Sequence, residues 1–141
     1  MIQLFTRVCP GYWDGTDDNI RLEFRNRYPS EPRETCMTDY LDKAGAEFVS
    51  GHEDKWLGKK LLSCYGQRFR PIYGLEFRFH SNTWGWNLHV DQVELCAITA
   101  RFGSPGDAGY SVWQWNGNTT NEKYGWFNSH SNWNVMTQIA G

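Results

Sequence analysis

The chain is predicted to be all-β, an antiparallel β-sandwich, and three observations predict it. Short segments alternate apolar and polar side chains with a period of two. Turns built from Gly, Asp, Asn and Pro separate them at short intervals. No window sustains a helical period with caps at its ends.

Taken in order, Ile2-Gln-Leu-Phe-Thr-Arg-Val-Cys9 alternates, with Ile2, Leu4 and Val8 on one side. Pro10-Gly11 opens a polar loop that runs to Asn19. From Ile20 to Arg25 the alternation is nearly perfect: Ile20, Leu22 and Phe24 against Arg21, Glu23 and Arg25, the pattern of a half-buried strand. Pro29 and Pro32 mark an irregular connection, and Cys36 to Leu41 reads as a short strand before the turn Asp42-Lys43-Ala44-Gly45. Phe48 and Val49 lead to a polar turn, Ser50-Gly51-His52-Glu53-Asp54, followed by Trp56 and Leu57. Leu75 to Phe79 alternates after Gly74. The stretch Trp84-Gly-Trp-Asn-Leu-His-Val-Asp-Gln-Val-Glu-Leu95 starts in an aromatic loop and becomes a strand whose phase shifts at Asp91 and Gln92. Cys96 to Phe102 continues it, residues 103–109 form a turn, and Tyr110 to Trp115 is the last clear strand, with Trp113 and Trp115 sharing a face. Beyond Asn116 the chain is rich in Asn, Ser, Gly and aromatics. Residues 1–115 therefore read as the sandwich and 116–141 as an extension packed on it. A short echo, His80-Ser-Asn-Thr-Trp84 and His130-Ser-Asn-Trp133, is too brief to indicate a duplicated domain.

With 141 residues there is enough chain for one domain with a real core. The net charge of −2 provides no basic field, so nucleic acid is not an expected partner. No segment is long and apolar enough to span a membrane. The opening Met-Ile-Gln-Leu-Phe-Thr is not a signal peptide, so secretion would require a leader already removed. Cys9, Cys36, Cys64 and Cys96 are widely spaced and form no Cys-x-x-Cys pair. That arrangement argues against a zinc ribbon and suits two disulfides in an extracellular protein, the alternative being buried thiols in a reduced one. Four cysteines allow three pairings; Cys36 with Cys64 and Cys9 with Cys96 is preferred. Asn118-Thr-Thr is a glycosylation sequon, in keeping with secretion.

Four segments in order resemble the PLAT (lipoxygenase-homology) domain family. Asp14-Gly15-Thr16-Asp17-Asp18-Asn19-Ile20-Arg21-Leu22 is similar to the family's Gly-Thr-Asp-Ala-Asn-Val segment. Phe48-Val-Ser-Gly51-His-Glu-Asp54-Lys-Trp56 resembles Phe-x-x-Gly-x-x-Asp-x-Phe, with Trp56 for the Phe. Leu75-Glu-Phe-Arg-Phe-His-Ser-Asn82 resembles the strand that ends in a His or Asp-Asn turn, and Val90-Asp-Gln-Val-Glu-Leu95 resembles Leu-Asp-Lys-Val-Glu-Val. The family usually carries Trp three residues before that Asp, where this chain has Leu88. The resemblance implies two four-stranded sheets and a role in docking to membranes, lipids or partner proteins, sometimes with calcium.

Asp14, Asp17, Asp18 and Asn19 gather the hard oxygen donors calcium prefers, against the ordinary use of Asp and Asn in turns. Asp42, Glu53 and Asp54, in other loops, are further donors for such a site. Trp84 and Trp86 beside a Gly, with His80 and Asn82, are the candidate ligand-binding set. Exposed rings there would stack on sugars or sit at a lipid interface, against plain core packing. Lys59, Lys60, Arg68 and Arg70 could add attraction to anionic headgroups, against a solvated surface. Catalysis finds little support: His52, His80, His89 and His130 are scattered, and there is no nucleophile elbow or phosphate loop. A hydrolase would have to be built on Asp91 and a histidine. The expectation is therefore a non-catalytic domain that binds lipid or membrane surfaces or a partner protein. A carbohydrate-binding module is one alternative, and a secreted toxin or defence protein another.

Overall fold

A computed structural model describes residues 2–8, 20–27, 34–39, 41, 51–57, 64, 69–81, 95–116 and 133–141. Nine strands run in the order β1 (Ile2–Val8), β2 (Ile20–Asn26), β3 (Thr35–Met37), β4 (Glu53–Trp56), β5 (Leu75–Ser81), β6 (Leu95–Phe102), β7 (Ser111–Asn116), β8 (Asn134–Val135) and β9 (Thr137–Ala140). They form a five-stranded sheet ordered β4-β1-β6-β7-β9 and a four-stranded sheet ordered β3-β2-β5-β8, with antiparallel pairing throughout. This is the all-β sandwich the alternation predicts, although the first sheet has five strands instead of four.

The two alternating patterns in the sequence become the two inner faces. Leu4 on β1, Leu22 and Phe24 on β2, and Leu75 and Phe77 on β5 are fully or almost fully buried. Phe24 meets Phe102 across the sheets in a T-shaped contact at 6.4 Å. Trp113 and Trp115 do share the inner face: Trp113 is buried, and Trp115 packs on the core with its ring 5.2 Å from that of Phe77. On β6 the register against β1 shifts between Arg7 and Val8, so Leu95 pairs with Val8 and Ala97 with Arg7. Cys96 is the extra residue. The bulge resets the phase, so Leu95 points inward together with Ile98, Ala100 and Phe102. The irregularity expected at Asp91 and Gln92 lies outside the described residues.

Two readings of the sequence are corrected. Glu53 and Asp54 belong to β4 instead of a turn. Gly51, at φ 77°, makes the turn just before them, and Asp54 pairs with Thr6 and is buried. Beside it the Trp56 indole N–H donates to the Thr6 hydroxyl at 3.0 Å, which explains how a polar residue is accommodated on the inner face of β1. The second correction concerns residues 134–140, which supply a strand to each sheet. The chain crosses from β8 to β9 at Met136, which is buried and donates its N–H to the Leu75 carbonyl. Strands that change sheets in this way form the corners of sandwiches.

Disulfide bonding is confirmed for Cys36 and Cys64, whose Cα atoms are 4.8 Å apart. Cys96 is disulfide-bonded as well. Cys9 lies outside the described residues.

Candidate functional site

The strand registers define two ends of the sandwich. At one end β1 finishes and β6 begins (Val8 with Leu95), while β2 begins and β5 finishes (Ile20 with Ser81). At the other, Asn26 pairs with Leu75 and Ile2 with Phe102. This second end carries the loop of residues 69–74 from the four-stranded sheet and the hairpin loop of residues 103–110 from the five-stranded one. A side chain at Gly109 would come within 3.1 Å of the Arg70 guanidinium, so the two loops are neighbours.

The 69–74 loop holds Ile72 at 57% and Tyr73 at 70% exposure, two adjacent large apolar residues turned to solvent. Single exposed hydrophobics are ordinary, but two together at the apex of a loop are informative. The loop is braced along its whole length. Phe69 is buried, its ring 6.1 Å from that of Phe102. Asn26, at 3% exposure, donates from its side-chain amide to the Arg70 carbonyl at 3.0 Å and accepts the Ile72 N–H at 2.9 Å. Its strand neighbour Arg27 donates its backbone N–H to the Gly74 carbonyl, and the Arg27 side chain lies along Gly74, 3.0 Å from where a Cβ would stand. Pro71 sits between the two amide contacts and limits the backbone further. The result is an apolar apex on a fixed stem, with the exposed Arg27 and Arg70 at its base.

The hairpin beside it is equally defined. Gly103 takes φ 76°, and a Cβ there would sit 3.3 Å from the Tyr110 Cα. The Asp107 carboxylate accepts the Ser104 N–H at 3.1 Å, and the Arg101 guanidinium lies 5.6 Å from the Tyr110 ring.

Of the ligand-binding and metal residues expected from the sequence, His80 is among the described ones. His80 stands in β5 opposite Arg21, near the end where Ser81 pairs with Ile20. Trp84, Trp86, Asn82, Asp14, Asp17, Asp18, Asn19 and Asn118 lie outside the described residues, as do Asp42, Asp91, Lys59, Lys60 and Arg68. Among the described residues, no group of three or more His, Cys, Asp or Glu side chains is placed to hold a metal ion. Arg70 of the basic set stands at the base of the 69–74 loop. Ile72 and Tyr73 were missed in the sequence, and the signal for them is the bracketing Pro71 and Gly74, which mark a turn around two apolar residues that no strand can bury.

A second feature is the outer face of the four-stranded sheet. Glu23 and Arg78 form an ion pair at 2.5 Å, and Arg25 and Glu76 another at 2.6 Å. Both guanidinium groups lie over the Trp133 ring, at 3.9 Å for Arg25 and 4.5 Å for Arg78. The charged face is thus joined to the chain's C-terminal segment. This arrangement fits anchoring better than binding.

No protein-family model and no curated protein matches the chain. Among solved structures it is similar to the alpha toxin from Clostridium absonum, at 14% identity and a TM-score of 0.50. The match covers 99% of this chain and 30% of the toxin chain. At that identity the likeness is one of fold, and the chain spans less than a third of the toxin's length. Among the described residues no helix is long and apolar enough to cross a membrane.

Proposed function

We propose that this chain is a non-catalytic, extracellular domain that docks on lipid surfaces through the tip of the 69–74 loop. The observation that carries the reading is the adjacent exposure of Ile72 and Tyr73 on a loop pinned by Asn26. Removing an isoleucine side chain from water is worth roughly 1.5–3 kcal/mol, and a tyrosine ring suits headgroup depth, with its hydroxyl still wet. Arg27 and Arg70 would then lie near the phosphates, where each cation contributes about 1 kcal/mol on an anionic membrane. Such a tip supports reversible binding. The bracing keeps the cost low, since little loop entropy remains to be lost on contact.

The PLAT-like segments support the same reading, because that family's usual role is docking to membranes, lipids or partners. The disulfide bonds suit an oxidising compartment, and a toxin as a fold neighbour is in keeping with an exported domain. Calcium, if used, would be held by Asp14, Asp17, Asp18 and Asn19. Those residues belong to a different segment of the chain from the 69–74 loop, and the tip is expected to work without the metal.

The test is cosedimentation with anionic and zwitterionic vesicles, comparing the parent chain with Ile72→Ser and Tyr73→Ser. Each substitution is expected to weaken binding about tenfold, the equivalent of 1.4 kcal/mol, with unchanged thermal stability. Equal binding by all three proteins would refute the tip. Binding that also vanished in chelator would move the site to Asp14, Asp17, Asp18 and Asn19.

A further inference from the structure

Besides the tip there is an open groove of about 380 Å³ on the side of the sandwich, lined by Gln114, Trp115, Asn116, Val135, Thr137 and Ile139. It exists because of the chain's change of sheet. The β7–β9 pairing stops at Gln114 with Thr137, while β7 continues through Trp115 and Asn116. Val135 comes from β8 in the other sheet, so the groove lies at the corner where residues 135–137 cross between sheets.

We propose that this groove binds the ring of a neutral sugar. Among the described residues that line it none is charged, which sets it apart from the tip and favours a neutral ligand over a phosphate or carboxylate. Three of the six described residues in the lining end in an amide or a hydroxyl: Gln114, Asn116 and Thr137. The Asn116 amide donates to the Gln114 side-chain carbonyl at 3.3 Å. This orients the pair so that the Gln114 nitrogen can still donate and the Asn116 oxygen can still accept. Adjacent hydroxyls on a sugar present that same donor–acceptor alternation. The exposed Val135 and Ile139 supply apolar area for the ring's C–H face. Trp115 borders the groove from the inner face of β7, where its indole is held by the T-shaped contact with Phe77 and is only partly buried.

Two other occupants fit less well. A peptide adding to β9 as an extra strand would need free edge carbonyls, but the Gln138 amide already donates to those of Ala140 at 3.2 Å and Gly141 at 3.0 Å. An acyl chain would leave the amides and the hydroxyl desolvated without partners. The sugar ring could belong to a free or protein-linked glycan or to a neutral glycolipid headgroup; the chemistry is the same.

The experiment is a glycan array probed with the intact chain, followed by a titration of its ¹H–¹⁵N spectrum with the best neutral oligosaccharide. Gln114→Ala/Asn116→Ala and Thr137→Val are surface changes that should leave the melting temperature unchanged. Expected are shifts at the amides of Trp115, Asn116 and Thr137, and affinity about tenfold weaker in the double variant. Vesicles carrying a neutral glycolipid, competed with the free oligosaccharide, separate the two sources. Tyr73→Ser should bind the sugar like the parent, so this proposal and the lipid reading stand or fall separately. Absence of any neutral glycan binding overturns the proposal, as does binding that the double variant leaves intact.

Discussion

Asn26 is buried at the end of a strand whose other polar residues face outward, and its amide bonds to both sides of the tip. Replacing it with alanine leaves the Arg70 carbonyl and the Ile72 N–H without their partner in a partly enclosed place. The expected cost of Asn26→Ala is about 2–3 kcal/mol in urea unfolding, with faster amide exchange at Ile72. Vesicle binding should weaken too, because a loosened tip loses order on contact. Ile72 and Tyr73 behave in the opposite way. They touch little, so their loss should alter binding while leaving stability alone. The alternation read from the sequence stops at Arg25 and leaves Asn26 unremarked. Its role depends on a loop 44 and 46 residues away in the chain, a distance that local patterns do not report.

Among the elements, the C-terminal pair β8 and β9 was the least visible in advance. Asn134-Val-Met-Thr-Gln-Ile-Ala140 has two and four residues in its strands, too few to establish a period, and its polar residues sit on edges. Its attachment is tertiary: Met136 is buried at the corner, and Trp133 lies under the guanidinium groups of Arg25 and Arg78. Glu76 shows the same effect, since it occupies an outward position on β5 yet is buried with Arg25 bonded to it. Trp133→Ala should therefore cost about 2–3 kcal/mol, through lost ring burial and two cation–π contacts, and should raise exchange along β8. The Cys36–Cys64 bond closes a loop with a separation of 28 residues. In the chain-entropy account its removal in Cys36→Ser/Cys64→Ser costs about 3.5 kcal/mol, readable as a lower denaturation midpoint. The bond also ties β3 to the region from which Phe69 enters the core.

For the molecule as a whole, the tip offers an apolar apex with arginines at its base and includes none of the candidate calcium residues Asp14, Asp17, Asp18 and Asn19. Lipid docking by the tip should consequently persist in chelator and weaken with added salt on anionic vesicles, because only the arginine share of the attraction is screened. A vesicle assay across salt concentration, with and without calcium, reads both effects. If binding instead followed calcium and ignored salt, the tip would not be the docking surface.

The sequence by itself determined the fold class, the alternating strands β1, β2, β5 and β7, and that Trp113 and Trp115 share a face. That this face is the inner one, and that Cys36 bonds to Cys64 among the pairings the sequence left open, were decided by the tertiary structure. Period-two alternation is a local consequence of the pleat, so it can be read wherever a strand buries one face. Only the tertiary structure decided which apolar residues stay in water, how residues 134–140 divide between the sheets, and that Glu53 and Asp54 form an edge strand. Those outcomes depend on which surface remains uncovered once distant strands have paired. The lateral groove is of the same kind, since it arises where β7 outruns β9 beside a corner of the other sheet.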